Sequence, residues 1–205
     1  MLYYQEITLI DQGKIYQNEI SSYFIWSKLY TQLHLALVKI QNQDGIVNIG
    51  VSFPQFIYQK EEKCKPKINL GTSLRLFAKT EEELQTLNIL NMLERLMDYL
   101  HISPIRLVPQ DKITAYVKFN RKQFKTNPER LARHRVKTRN DISFDEAVKL
   151  YQNRITFTDL PYIEMKSLTN NRRFKLFIEK NISEKSNGYK FNTYGLSSES
   201  TVPDF

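Results

Sequence analysis

With one cysteine in the whole sequence, Cys64, the chain has no internal disulfide and no thiolate zinc site, which suits a reducing compartment. Its six glycines are too scattered to form a Gly-rich phosphate loop. No HExxH pair or close group of carboxylates occurs either, so nucleotide hydrolysis and two-metal nuclease chemistry have little support, and no metal or cofactor is expected. No apolar run approaches the ~20 residues needed to span a bilayer. The N-terminus lacks the charged lead, apolar core and small-residue cleavage site of a signal peptide, so a cytoplasmic protein off the membrane is expected. Histidine is scarce as well: only His34, His101 and His134.

The chain does have cations and aromatic rings. A net charge of +8 and a pI near 9.4, together with 41% hydrophobic residues, 12 Tyr and 12 Phe, describe a folded protein that attracts anions rather than a disordered basic tail. At 205 residues, two compact halves are expected, 1–109 and 110–205, with Pro109-Gln110-Asp111 as the seam.

In the first half, Tyr3 to Leu9 alternates as a strand, and Asp11-Gln12-Gly13 marks a turn. Glu19 to Ile40 reads as a long helix, with Trp26, Leu29, Tyr30, Leu33, Leu37 and Ile40 on one stripe and His34 beside it. Asn48 to Phe53 and Asn69 to Ala78 read as strands, with a polar loop over Gln55 to Ile68. Thr80 opens a helix to about Tyr99, and Ile105 to Val108 supplies a fourth strand. The order strand, helix, strand, strand, helix, strand is the ferredoxin-like βαββαβ pattern, a frequent RNA-binding platform.

The second half reads as mixed α/β, which makes the whole chain α+β. Thr114 to Phe119 is a strand, Ser143 caps a helix over SFDEAVKLYQN, and Leu160 to Ser167 and Arg172 to Glu179 are strands. Glu184 to Gly188 forms a turn before Tyr189 to Tyr194, and the closing SSESTVPDF is polar and irregular.

Within that half, Lys118 to Asn140 gathers nine of the 30 basic residues around a single acid, Glu129. Asn127 as N-cap and Pro128 as first residue open a helix with Arg130, Arg133, His134 and Lys137 on one side. Arg135 and Arg139 lie nearly opposite, and the apolar positions Leu131, Ala132 and Val136 form no broad stripe. Nucleic acid is the leading partner for such a rod, and a solvated charged face is the bland alternative. RRFKLFIEK lacks the glycine of the RNA-recognition-motif strand.

RNA can be cut with no metal when a base removes the proton of its 2'-hydroxyl, which then attacks the adjacent phosphorus. An imidazole, with an ordinary pKa near ~6.5, can be that base. His134 lies among RNA-facing cations, and His101 follows a helix end that it can cap. His34 borders the buried stripe, where pattern alone reads first as a structural histidine and second as a rigidly held base.

Six stretches in one order, QLHLALV, NIGVSFP, LGTSLRLFA, KTNPERLARHRV, LPYIEMKSLTNNRRFKLFI and TYGLS with a closing VPDF, resemble the type I-F CRISPR repeat-processing endoribonucleases of the Csy type. The resemblance implies a ferredoxin-like N-terminal domain and a second domain whose arginine-rich helix enters the major groove of the repeat stem-loop. It also implies metal-free cutting at the 3' base of that stem, a 2',3'-cyclic phosphate, and retention on the crRNA hairpin with the backbone and other subunits of the surveillance complex. An ordinary A-form major groove is too deep and narrow for side chains to read, and a short hairpin with an open end relaxes that limit.

By the same resemblance, His34 acts on the 2'-hydroxyl, Ser167 holds the ribose and Tyr194 orients the histidine. Without it, these are a structural histidine, a strand-end serine and a core tyrosine. Phe174 is implied to stack under the closing base pair, worth about 1–3 kcal/mol per base, and otherwise passes for a core strand residue. Arg121 and Gln123 match base-reading positions that would otherwise be surface salt-bridge partners. Asn127, Arg130, Arg133, His134, Lys137 and Thr169 complete the implied RNA contacts. His134 and Thr138 stand where the family pattern has arginine, while Arg135 and Arg139 are basic where it is less so. A catalytically silent hairpin-binding subunit and a general basic DNA-binding module remain as alternatives.

Overall fold

A computed structural model describes residues 1–10, 21–59, 67–124, 127–152, 158–167 and 170–205. The expected turn at residues 11–13, the start of the first helix at 19–20, Cys64 and Thr169 lie outside the described residues.

Alternation over Tyr3–Leu9 makes β1, which buries Gln5, Ile7 and Leu9 on one side. The apolar stripe then forms α1, Ser22–Asp44, with Ile25, Trp26, Leu29, Tyr30, Leu33, Ala36 and Leu37 buried. Full burial of each large side chain is worth roughly 1.5–3 kcal/mol. Gly45 closes the helix at φ 76°, the left-handed conformation that glycine adopts without a Cβ clash. β2 is Gly50–Ser52, shorter than the expected strand.

The expected loop over 55–68 instead contains most of a two-stranded ribbon, in which β3, Ile57–Gln59, pairs with β4, Lys67–Asn69. The third expected strand is likewise β5 alone, Ser73–Ala78. Thr80 caps α2, Glu81–Leu87, through a full capping box with Glu83. The helix expected to run to Tyr99 stops at Asn88, whose φ of 46° breaks the hydrogen-bond ladder. α3, Ile89–Met92, and a 3-10 turn, Glu94–Tyr99, follow.

The fourth expected strand is two short pieces, β6 Leu100–Ile102 and β7 Arg106–Leu107, both paired with β1. Between them, Ser103 Oγ accepts the Glu6 N–H at 2.9 Å, and Pro104 prevents a continuous ladder. His101 therefore lies in β6 opposite Thr8 and caps no helix.

The rest of the chain supplies β8 Ala115–Lys122, α4 Pro128–Arg139, α5 Phe144–Gln152, β9 Tyr162–Lys166, β10 Arg173–Ser183 and β11 Val202–Asp204. The last corrects the expected irregular terminus: Val202 is buried and sits opposite Val117 of β8. Tyr189–Tyr194 contributes one isolated bridge, Phe191 to Val47.

Besides the β3–β4 ribbon, two larger sheets form among the described residues, in a mixed α and β molecule. One runs β2-β5-β1-β6 with β7 also on β1, and the other runs β11-β8-β10-β9. Both contribute to a single buried apolar cluster, and β9 packs against α1. Met1–Arg121 and Leu160–Phe205 form one compact unit, and Lys122–Asp159 form another, so the boundary expected at 109/110 falls inside the first. In the second unit α4 packs on α5, with Ala132 and Ala147 buried. Among the described residues no helix is long and apolar enough to cross a membrane.

Candidate functional site

Tyr30 and His34 are one helical turn apart, so α1 presents both on the same side. Each meets a carbonyl more than 150 residues away in sequence. The Tyr30 hydroxyl donates to the Tyr194 carbonyl at 2.9 Å, across a separation of 164 residues. His34 Nδ1 lies 2.8 Å from the Thr193 carbonyl, across a separation of 159. A carbonyl only accepts, so Nδ1 carries a proton in either charge state of the ring, and Nε2 is the atom that gains and loses one. The imidazole, half-buried, lies flat on the Tyr194 ring, with centroids 4.3 Å apart and planes 7° from parallel. Burial pushes the Tyr30 phenol well up, with Tyr194 adding to the effect, so this hydroxyl stays a donor.

The two carbonyls belong to a turn that the sequence builds locally. Asn192 Oδ1 accepts the N–H groups of Tyr194 at 2.8 Å and Leu196 at 3.2 Å, and its own N–H donates to the Leu196 carbonyl at 2.9 Å. Gly195 sits at φ 70°, and a Cβ there would lie 2.3 Å from Val51 Cγ2. The Val51 N–H donates to the Gly195 carbonyl at 2.9 Å, which fastens the same turn to β2.

Arg121, near the end of β8, reaches the same place. Its guanidinium carbon is 5.2 Å from the Tyr194 ring centroid and 5.5 Å from that of Phe174, both within cation–π range. Phe174 is half-buried on β10, opposite Met165. Ser167, also half-buried, follows β9, and its N–H donates to the Arg172 carbonyl at 2.8 Å. β9, which Ser167 follows, packs against α1, the helix that carries His34. Thr169 falls outside the described residues.

Gln123 and the candidates on and beside α4 belong to the second unit. Gln123 is exposed just beyond β8. Asn127 is the N-cap of α4: its Oδ1 accepts the Arg130 N–H at 2.9 Å, which commits that oxygen to the helix. Arg130, Arg133, His134 and Lys137 are all exposed, with Arg133 3.5 Å from Glu129 in a solvated i,i+4 pair. Thr138 turns its hydroxyl back on the His134 carbonyl at 2.7 Å. Arg135 faces Asp141, with two contacts at 3.0 and 2.7 Å. That bidentate hydrogen bond raises the Arg135 pKa and holds the Asp141 carboxyl below its ordinary range. His101 is exposed on β6. Among the described residues, no group of three or more His, Cys, Asp and Glu is placed to hold a metal ion.

The structure thus brings together His34, Tyr194, Arg121 and Phe174 and adds residues that sequence reasoning passed over: Tyr30, Thr193, Asn192 and Gly195. Two signals were present in the sequence, the i,i+4 spacing of Tyr30 and His34 and the Asn and Gly that bracket a turn around Thr193-Tyr194.

Residues 4–205 match the family model described as CRISPR-associated protein (Cas_Csy4). A protein of Escherichia coli (strain UTI89 / UPEC), named CRISPR-associated endonuclease Cas6/Csy4, is 34% identical over 190 residues, covering 91% of this chain and 93% of its own length. A protein of the same name from Pseudomonas aeruginosa (strain UCBPP-PA14) is 34% identical over 185 residues, covering 88% of this chain and 90% of its own.

Proposed function

The chain belongs to the Csy4 family of CRISPR-associated proteins, and we propose that it is a metal-independent endoribonuclease acting on CRISPR precursor RNA. It cuts at the 3' base of the repeat stem-loop, leaves a 2',3'-cyclic phosphate and stays on the hairpin as a subunit of the type I-F surveillance complex. The endonuclease names of its relatives support this reading. The observation that carries it is the His34 ring, tied at Nδ1 to a carbonyl and stacked on Tyr194.

In this reaction Nε2 of His34 takes the proton of the 2'-hydroxyl. The 2'-oxygen attacks the adjacent phosphorus, the bond from phosphorus to the 5'-oxygen breaks, and the departing oxygen takes a proton from solvent. Ser167 holds the ribose so that attack is in line, and such positioning is a large catalytic term. Phe174 stacks under the closing base pair, and Arg121 forks onto a guanine beside it, with Gln123 on a neighbouring base. Arg130, Arg133, His134 and Lys137 of α4 hold the stem, and Asn127 and Thr169 are further RNA contacts. The strand order β6-β1-β5-β2, fourth-first-third-second among the principal strands, supports a ferredoxin-like first sheet.

Incubating the protein with its repeat RNA in EDTA tests the proposal. The expected result is one cut at the stem base with a cyclic phosphate on the 5' fragment. A hairpin bound tightly but left whole, with or without divalent cations, would instead identify a silent capping subunit.

A further inference from the structure

Tyr30 is fully buried and stacks on Phe53, with centroids 6.1 Å apart, so its ring is fixed before its hydroxyl is considered. A buried hydroxyl needs a partner, and this one has the carbonyl of Tyr194, next in sequence to the carbonyl that holds His34. The Val51 bond fastens the Gly195 side of the turn to β2, and two donors one helical turn apart, on the successive carbonyls of Thr193 and Tyr194, hold its other side against α1. If the turn drifts, Nδ1 loses its acceptor, and the neutral ring is free to carry its proton on Nε2. That tautomer has no lone pair at Nε2 with which to take a proton from a 2'-hydroxyl.

We propose that Tyr30 is a positioning residue for His34: its hydroxyl holds the turn against α1, which keeps the imidazole in the Nδ1–H tautomer and face to face with Tyr194. Asn192 does the same from within the turn, through the two N–H groups on its Oδ1. The consequence for RNA cutting rests on the endonuclease reading, whereas the consequence for the ring does not.

Tyr30→Phe keeps the buried ring and removes only the donor. Nitrogen-15 NMR of histidine-labelled protein without RNA is expected to show Nδ1–H for neutral His34 in the wild type and a mixture of tautomers in the variant. Single-turnover cleavage at saturating protein should fall about tenfold, with hairpin affinity held within about twofold. Asn192→Ala, at an exposed position, should reproduce both changes, and Asn192→Asp, which keeps the accepting oxygen, should restore both. If Tyr30→Phe does not fold, the Asn192 pair decides the matter by the same readings. The proposal is overturned if the ring stays Nδ1–H in the variants, or if the rate falls while the ring is unmoved, since either result makes Tyr30 packing alone. A wild type that leaves the repeat whole while its tautomer shifts in Tyr30→Phe would overturn the endonuclease reading and leave the positioning role standing.

Discussion

Around the Asn192–Leu196 turn, donors from a helix and a strand converge on backbone carbonyls and the Asn192 side chain accepts two backbone N–H groups, whereas along α4 the cations stand in solvent. The two arrangements suit the two tasks proposed for them. A proton transfer tolerates little displacement of the ring, so its geometry is built in advance from fixed hydrogen bonds. A grip on phosphates needs charges that are hydrated and able to adjust, because its affinity comes from released counterions rather than from fixed distances. Arg135 departs from the pattern of its helix: tied to Asp141, it joins α4 to the connection that leads into α5.

The largest effect that would break the comparison is at the ring. His34→Ala is expected to lower the single-turnover rate by about a thousandfold or more while hairpin affinity stays within a few fold, as a filter-binding assay beside a cleavage time course would show. Loss of folding along with activity would return this histidine to the core.

Gly195→Ala comes next. Both the positive φ and the contact with Val51 oppose a methyl group there, so thermal unfolding should show a loss of about 2 kcal/mol or more, accompanied by loss of cutting. A variant as stable as the wild type would mean that the turn is looser than its hydrogen bonds indicate.

On the solvated side, Lys137→Ala should weaken hairpin binding about three- to tenfold, and the slope of affinity against salt should drop by about one. An unchanged salt slope would take Lys137 off the phosphates.

The smallest effect is in acid. Because the Asp141 pKa is depressed, chiefly by its hydrogen bond from Arg135, the carboxylate's contribution is fully present above the ordinary aspartate value near ~3.9 and is lost as pH falls through the lower folded value. NMR shifts of α4 and α5 should therefore move below about pH 4 in the wild type and not in Asp141→Asn.

Much of the fold follows from short-range rules. The stripe of α1 places Trp26, Leu29, Tyr30, Leu33 and Leu37 inside, and Asn127-Pro128 opens α4 as a cap and first residue should. The errors fall where a local signal is outweighed. Asn88 sits within a helical run of good formers, and its left-handed backbone ends the run. The closing VPD reads as irregular, yet it becomes a buried strand because β8 offers it a free edge.

The sequence by itself determined the α1 stripe, the basic character of α4 and its cap, and a histidine at the margin of the core, since these depend on residue types a few positions apart. Tertiary structure decided what that histidine touches. Its partner is the carbonyl of Thr193, and a backbone carbonyl is the same group on every residue, so nothing in the side-chain pattern marks it. Only a chain folded back across 159 positions brings that carbonyl to Nδ1.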